Sequence, residues 1–489
     1  MKPNIVYFVA DQMRSDSLAH MGNKASITPN LDGLTREGVS FRNAYCQNTV
    51  CVPSRCSFLT GLYPHTTGHR TMHFLQNPDE PNFLRTMKNS GYEVIWIGRN
   101  DVIPADRSKA EYCDVYFDGL EKIDKKDVVK SAGWKHRDPD EVDFNSPGYY
   151  AHYIGKISEQ QARSGSYMMN DWIALESAME YLEHRKSDKP FFLYLTLTYP
   201  HPPYACEDPW FSMIDRSLVK KRRPSAMTLK DKPSMLQEIA RKQNLADWGE
   251  DNFTEMQATY LAMVARFDHQ FGMFKDKLQE LELYDNTSIF VFSDHGDYTG
   301  DYDIAEKVQN CFDNPVCNIP LIVKPAKQFA LTPRVSDALV ELVDLSATVA
   351  TMCDVEIEYV QFGKSLLPVL EKEQEHKDAV FCEGGRIHGE TWAMERGHGP
   401  ESQYWPRLDT QSSEGPEHTK AVMIRMGDFK YVKRLYEKDE LYDLANDPDE
   451  LCNIIDEKRN QSIVAIFKAR MLDWFIETGD IVPNRRDLR

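Results

Sequence analysis

The chain has 489 residues, 41% hydrophobic and 27% charged, a composition that excludes a disordered chain and is ample for a large core. Its net charge of −18 excludes a protein that holds nucleic acid by its overall field. Any anionic substrate must be attracted by local cations.

The first apolar run, Ile5 to Ala10 in "NIVYFVADQ", predicts a buried strand that ends at Asp11 and Gln12. It is too short for a secretory h-region and lacks a small-residue cleavage site. No other run reaches the length of a membrane span. These features point to a cytoplasmic protein with no membrane partner, and ten irregularly spaced cysteines point to reduced thiols.

"TPNLDGLTREG" follows, a helix with Thr28 as N-cap, Pro29 at its first position and Gly38 as its stop. "NFLRTMKNSG" and "YEVIWIG" predict a helix closed at Gly91 and then a strand. "MMNDWIALESAMEYLEHRK" sets Trp172, Leu175, Met179 and Leu182 on one helical face. "FFLYLTLTY" (191–199) is a strand, and Met256, Tyr260, Val264, Phe267, Phe271 and Phe274 mark a long helix. "SIFVFSD" and "IPLIVK" are strands, and "DALVELVDLSATVATMC" is helical.

This alternation predicts an α/β domain over residues 1–374, with a large, mostly parallel sheet between helices. From about residue 375 the pattern changes. "AVFCEG", "KAVMIRMGDFKYVKR" and "LYDL" read as short antiparallel strands, with a turn at Gly427-Asp428. The helix "SIVAIFKARMLDWFIET" completes a smaller α+β subdomain over 375–489. Segments 100–165 and 200–250 are polar and weakly periodic, and read as insertions over the sheet edge. Within the second, "VKKRRP" (219–224) reads as a solvated face.

Ligands of open α/β sheets sit beyond the carboxyl ends of the strands. Three predicted strands end there in polar groups: Asp11 and Gln12, Asp294 and His295, and His201. Two carboxylates, an amide oxygen and an imidazole suit a divalent cation, with Ca2+ or Mg2+ favoured by the oxygens and Mn2+ by the imidazole.

"NTVCVPSRCSFLTG" raises a separate question. The spacing of Cys46, Cys51 and Cys56 does not fit a zinc site. Pro53 suits a first helical position, which puts Cys51 at the positive end of a helix with Arg55 four residues on. That setting favours an anion at residue 51, so Cys51 reads as either a nucleophile or anion site, or a buried core thiol.

"CVPSRCSFLTG" (51–61) resembles the C-x-P-S-R…L-T-G signature of the type I sulfatases, a formylglycine-dependent family of the alkaline phosphatase-like superfamily. "NIVYFVADQMR", "SIFVFSDHGDYTGDY", "IPLIVK" and "ELYDLANDPDELCNI" resemble later landmarks of that family in chain order. The resemblance implies that a maturase oxidises Cys51 to Cα-formylglycine. It implies a metal, usually Ca2+, on Asp11, Gln12, Asp294, His295 and residue 51. Gln12 and His295 look more like the choline sulfatase and phosphonate monoester hydrolase branches. The implied reaction is attack of a hydrated aldehyde on a sulfate ester, followed by release of sulfate. Arg55 orients the nucleophile, Lys307 stabilises the sulfuryl group and His201 protonates the leaving oxygen. Where the family has a "GKWH"-like segment this chain has "GRND". Arg99 then clamps sulfate, and Asp101 binds a polar or cationic part of the substrate. The expected substrate is a sulfated sugar or small molecule. The alternative is a phosphonate monoester or phosphodiester on the same site.

Overall fold

A computed structural model of the protein describes residues 2–117, 143, 145–164 and 170–482. In chain order its strands are β1 (Asn4–Asp11), β2 (Val39–Tyr45), β3 (Glu93–Gly98), β4 (Val115–Phe117), β5 (Tyr153–Ile157), β6 (Phe191–Pro200), β7 (Tyr204–Glu207), β8 (Thr287–Ser293), β9 (Asn318–Ile319), β10 (Leu321–Lys324), β11 (Arg334–Glu341), β12 (Val380–Gly384), β13 (Ala421–Met426), β14 (Phe429–Arg434) and β15 (Glu440–Asp443). The large sheet runs β11-β2-β10-β8-β1-β6-β3-β4, with β9 beside β2. β1 lies parallel to both β6 and β8, while β10 is antiparallel to β8 and β2.

All eight residues of β1 are buried, as the unbroken apolar run requires of a strand covered on both faces. Its side chains alternate between two cores. Ile5, Tyr7 and Val9 join the face that holds Phe58, Leu345 and Val349. Val6, Phe8 and Ala10 join the face that holds Trp172, Leu175, Phe267 and Phe271. Each such side chain contributes about 1.5–3 kcal/mol by leaving water, so this central strand is firmly fixed. The polar residues at its end are therefore held on a rigid edge.

The small sheet β12-β13-β14-β15 is antiparallel throughout. It too has two buried faces. Val380, Cys382 and Met423 pack on the large sheet's core. Phe381, Ile424 and Tyr431 pack under the helix Gln461–Thr478, against Val464, Phe467, Met471 and Trp474. The helical face of Trp172, Leu175 and Leu182 is buried, with Met179 partly buried beside it, and Asn82 caps the helix Phe83–Asn89 through its side chain.

Five local expectations change. "DALVELVDLSATVATMC" is helical only over Asp344–Cys353, because its first five residues belong to β11 and pair with β2. The helix after Thr28 spans Pro29–Leu34 and stops before Gly38. Gly38 is needed instead because a Cβ there would lie 2.5 Å from the Val323 carbonyl oxygen of the adjacent strand. The helix of the "CVPSR" stretch starts at Cys51, so Pro53 is its third residue. A proline fits there because the first turn's N–H groups have no partner within the helix. The 200–250 segment contains a packed helix, Ser234–Gln243, whose Met235, Leu236 and Ile239 are buried against Tyr298 and Val308. Finally, "VKKRRP" is not a solvated face throughout. Arg223 is buried and donates 2.6 Å to Asp301, Arg222 pairs with Asp303 and Glu250, and the exposed positions are Lys220, Lys221 and Pro224. Much of the other insertion, 118–142, lies outside the described residues.

Candidate active site

The first polar residues beyond β1 and β8 meet the start of the helix Cys51–Thr60. Ligand atoms of Asp11, Cys51, Asp294 and His295 all lie within 4.8 Å of one another, and all four residues are buried. Cys51 Sγ is 3.1 Å from His295 Nε2 and 3.5 Å from Asp11 Oδ1. His295 Nδ1 faces the Gly296 carbonyl oxygen at 2.9 Å, which makes Nδ1 the protonated nitrogen and leaves the Nε2 lone pair facing the cluster.

Arg55 lies beneath. Its Nε donates to Asp294 Oδ2 and its Nη2 to Asp11 Oδ2, each at 2.8 Å. Ser54 donates 2.5 Å to the Asp294 carbonyl oxygen. The "SR" of the sequence motif thus ties the helix Cys51–Thr60 to the end of β8. Burial opposes ionisation of Asp11, but Arg99, His201, Arg55 and Lys307 hold its carboxyl far below the usual carboxylate range. Cys51 behaves in the opposite way. Burial first, then Asp11, push its thiol well above the ordinary value, and Lys307 and Arg99 do not compensate. Of the two readings of Cys51, burial favours the protonated thiol. As a plain cysteine, residue 51 is a neutral thiol and a poor nucleophile.

Gln12 has a left-handed backbone, φ 69°, and is held on both sides. Its Nε2 donates 2.6 Å to Asp297, and its Oε1 accepts from Lys307 at 2.8 Å. Tyr260, from the long helix Glu250–Glu280, donates to the Gln12 carbonyl oxygen and accepts from Arg14 N–H, both at 2.9 Å. Lys307 Nζ also lies 3.0 Å from His201 Nε2 and 3.1 Å from Glu306. His201 Nδ1 faces the Pro202 carbonyl oxygen at 2.6 Å, so its Nε2 accepts from Lys307. Burial and Lys307 push the His201 pKa well down, which leaves the imidazole neutral. Burial would lower the Lys307 pKa, but its anionic surroundings, with the carboxylates of Glu306 and Asp11, raise it and keep the ammonium charged.

Arg99 follows Gly98, whose φ is +98° and whose added Cβ would fall 1.9 Å from the Thr196 carbonyl oxygen. Only glycine lets β3 end here and turn Arg99 inward. Arg99 Nη1 is 3.0 Å from Asp11 Oδ2, while Nε is 2.7 Å from Asp101. Asp101 thus faces Arg99, and both keep some exposure at the mouth of the site.

The sequence reading missed three contributors. Asp297 anchors Gln12, and burial raises its pKa to about 6 despite hydrogen bonds from Tyr204 and Gln12. Glu306 sits beside Lys307. Arg407, from the C-terminal part of the chain, pairs with Glu306 at 3.1 Å. Asp297 was within reach of inspection, since it lies in "SDHGDY". Nothing in the sequence around Arg407 announces its contact with Glu306.

The donor set fits a divalent cation: two buried carboxylates and a neutral imidazole present their lone pairs to one point, with Gln12 Oε1 on the Lys307 side. Fold and site together define an α/β protein with a residue at a helix start set among groups able to hold a metal ion. Residues 3–355 match the sulfatase family, and the chain belongs to it as a sulfuric ester hydrolase. The multifunctional alkaline phosphatase superfamily protein PehA of Trinickia caryophylli is 25% identical, over 98% of this chain and 96% of that protein. A choline-sulfatase of Rhizobium meliloti is 24% identical over 100% and 90%. Among solved structures, the phosphonate monoester hydrolase of Agrobacterium radiobacter superposes with a TM-score of 0.74 at 20% identity, covering 98% of this chain and 96% of that one. A protein in complex with its substrate D-glucosamine-2-N,6-O-disulfate superposes with a TM-score of 0.71 at 18% identity, covering 100% of each chain.

Proposed function

We propose that the protein hydrolyses the sulfate ester of a sugar or small alcohol, after a maturase has converted Cys51 to Cα-formylglycine. The observation that carries this is the burial of Cys51 against Asp11 and His295 at the start of a helix whose Arg55 bridges Asp11 and Asp294. A neutral, deeply buried thiol has little use there, whereas a gem-diol has one hydroxyl to attack and one to expel sulfate. A divalent cation, Ca2+ with Mn2+ or Mg2+ as alternatives, would be held by Asp11, Gln12, Asp294, His295 and residue 51, and supplies Lewis acidity and charge neutralisation.

The remaining roles belong to the chain's own groups. Arg55 fixes both carboxylates and so fixes where residue 51 points. Arg99 and Lys307 offer cations to the charge that develops on the sulfuryl oxygens. Asp101 orients Arg99 through their 2.7 Å contact, a different task from binding substrate directly. His201, neutral and accepting from Lys307, has no Nε2 proton of its own to give. The proton for the leaving oxygen is therefore drawn from the Lys307–His201 pair, with Lys307 as its source.

The nine buried free thiols support a reducing, cytoplasmic setting. Among the described residues no helix is long and apolar enough to cross a membrane. The domain boundary near residue 375 follows the start of the small sheet at Val380.

Steady-state rates on p-nitrophenyl sulfate, phenyl phosphonate and a phosphodiester test the reading. Preference for the sulfate is expected. Preference for phosphorus would favour the second reading, to which Gln12 and His295 lend support by resemblance.

A further inference from the structure

Arg407 lies on the far side of Glu306 from Lys307. Its side chain is 7% exposed, and its Nε is 3.1 Å from Glu306 Oε2. Glu306 Oε1 is in turn 3.1 Å from Lys307 Nζ, so one carboxylate lies between two cations. Arg407 is close enough to Lys307 for its charge to be felt there. Yet its Nη1 is buried and makes no hydrogen bond. The nearest carboxylate oxygen, Glu395 Oε2, stands off at 3.7 Å. The other oxygen of Glu395 accepts from Met72 N–H at 2.8 Å. That bond ties the loop before Arg407 to the segment that follows the nucleophile helix. Buried donors are almost always satisfied, so an unspent one beside a reaction centre needs a partner that arrives with the substrate.

The direction of that partner follows from its neighbours. Arg99 and Asp101 flank Asp11 on one side of Cys51, while Lys307 and His201 form the proton-donating side. Arg407 adjoins the proton-donating side and hence the alcohol half of the ester. Two acids, Glu306 and Glu395, already offset much of the Arg407 and Lys307 charge. The missing partner is thus a hydrogen-bond acceptor rather than a second strong anion.

We propose that Arg407 is a specificity-determining residue whose free Nη1 donor binds an acceptor oxygen of the leaving alcohol, and that this alcohol is polyhydroxylated, as in a sugar. The proposal rests on the sulfatase reading above and names its substrate class. A p-nitrophenol leaving group carries no hydroxyl next to its ester oxygen and forgoes the contact.

The test compares kcat/KM on a panel of monosulfated hexoses and hexosamines with kcat/KM on p-nitrophenyl sulfate. R407K keeps a charge for Glu306 and removes the forked donor, so the fold is retained. R407Q removes the charge as well. The ratio of sugar to aryl sulfate should fall about ten-fold or more in R407K, mainly through KM on the sugar. R407Q should show at least as large a fall in the ratio, whatever its melting temperature. Equal losses on both substrates would overturn the proposal by reducing Arg407 to a structural role. An unchanged ratio would overturn it too, as would a wild-type enzyme active on the aryl sulfate and on no sugar sulfate. A wild-type enzyme inactive on every sulfate ester would instead defeat the sulfatase reading, and the inference with it.

Discussion

Arg55 reaches Asp294 with one nitrogen and Asp11 with another, at equal distance and with no solvent contact. Lysine is a point charge and cannot span two carboxylates in this way. R55K should therefore lose at least about 100-fold in kcat even where the fold survives. R55A should also destabilise the metal-free protein by about 3–5 kcal/mol, because two buried carboxylates lose their partner. Chelated samples in a urea titration would show it, and a stability equal to wild type would contradict the bridging role. The Cys51 peptide offers a direct check on the chemistry. After co-production with a maturase its mass should fall by about 18 Da relative to cysteine. C51A should then be inactive, and an unmodified thiol in an active enzyme would remove the proposed nucleophile. At this scale the sequence was informative, because Asp11, Asp294 and His295 end strands that pattern alone could place. It left Cys51 open between an anion site and a buried thiol, since helix position favours the first while burial favours the second. Burial is a property of the whole fold and is not written in eleven residues.

The helix Gln461–Thr478 covers the small sheet and touches the segment just after the nucleophile helix. Trp474 stacks on Phe381 with centroids 4.3 Å apart and meets Tyr63 edge-on at 5.0 Å. Thr478 bonds both His65 and Thr66. W474A should cost about 3–5 kcal/mol in equilibrium unfolding, by transfer and cavity together. A loss within about 0.5 kcal/mol would show that the helix is dispensable. The helix Asp344–Cys353 gives an acid-sensitive element. Burial resists ionisation of Asp344, but Lys377 and His376 outweigh it and bring its pKa to about 2. The folded value lies below the unfolded one, so the carboxylate stabilises the protein above about pH 4, and that contribution fades as pH falls toward 2. D344N should remove part of the loss of melting temperature across this window, and identical acid limbs would refute the assignment. Most elements at this scale were legible from period and caps. The exceptions were long-range contacts: Gly38 marks a neighbouring backbone, not a helix end, that neighbour, Val323, is far away in the chain, and residues 337–341 are drawn into β11 by pairing with β2.

The molecule as a whole carries −18 charges while its reaction centre gathers Arg55, Arg99, Lys307 and Arg407 around a few acids. An anionic ester approaches against the overall field and is held only at short range. Raising inert salt from about 10 mM to about 150 mM should therefore leave kcat/KM unchanged or increase it, since screening weakens the distant repulsion first. A steep fall would mean that long-range attraction governs capture. At this largest scale the sequence said least. The division into a large and a small sheet was visible in its texture. That Arg407, between the first two strands of the small sheet, would return to Glu306 beside Lys307 could not be read from any local pattern.

Cys51 has no solvent-accessible surface. This sets an order of events. On the function proposed above, a maturase could not grasp a side chain enclosed by the ends of β1 and β8 and a helix, so conversion would have to come while the first sixty or so residues are still open, before β8 delivers Asp294 and His295 from more than two hundred residues downstream. Folding closes that interval for good. Protein made without its maturase would stay locked as a thiol, and adding the maturase afterwards would restore nothing until the chain had been unfolded again.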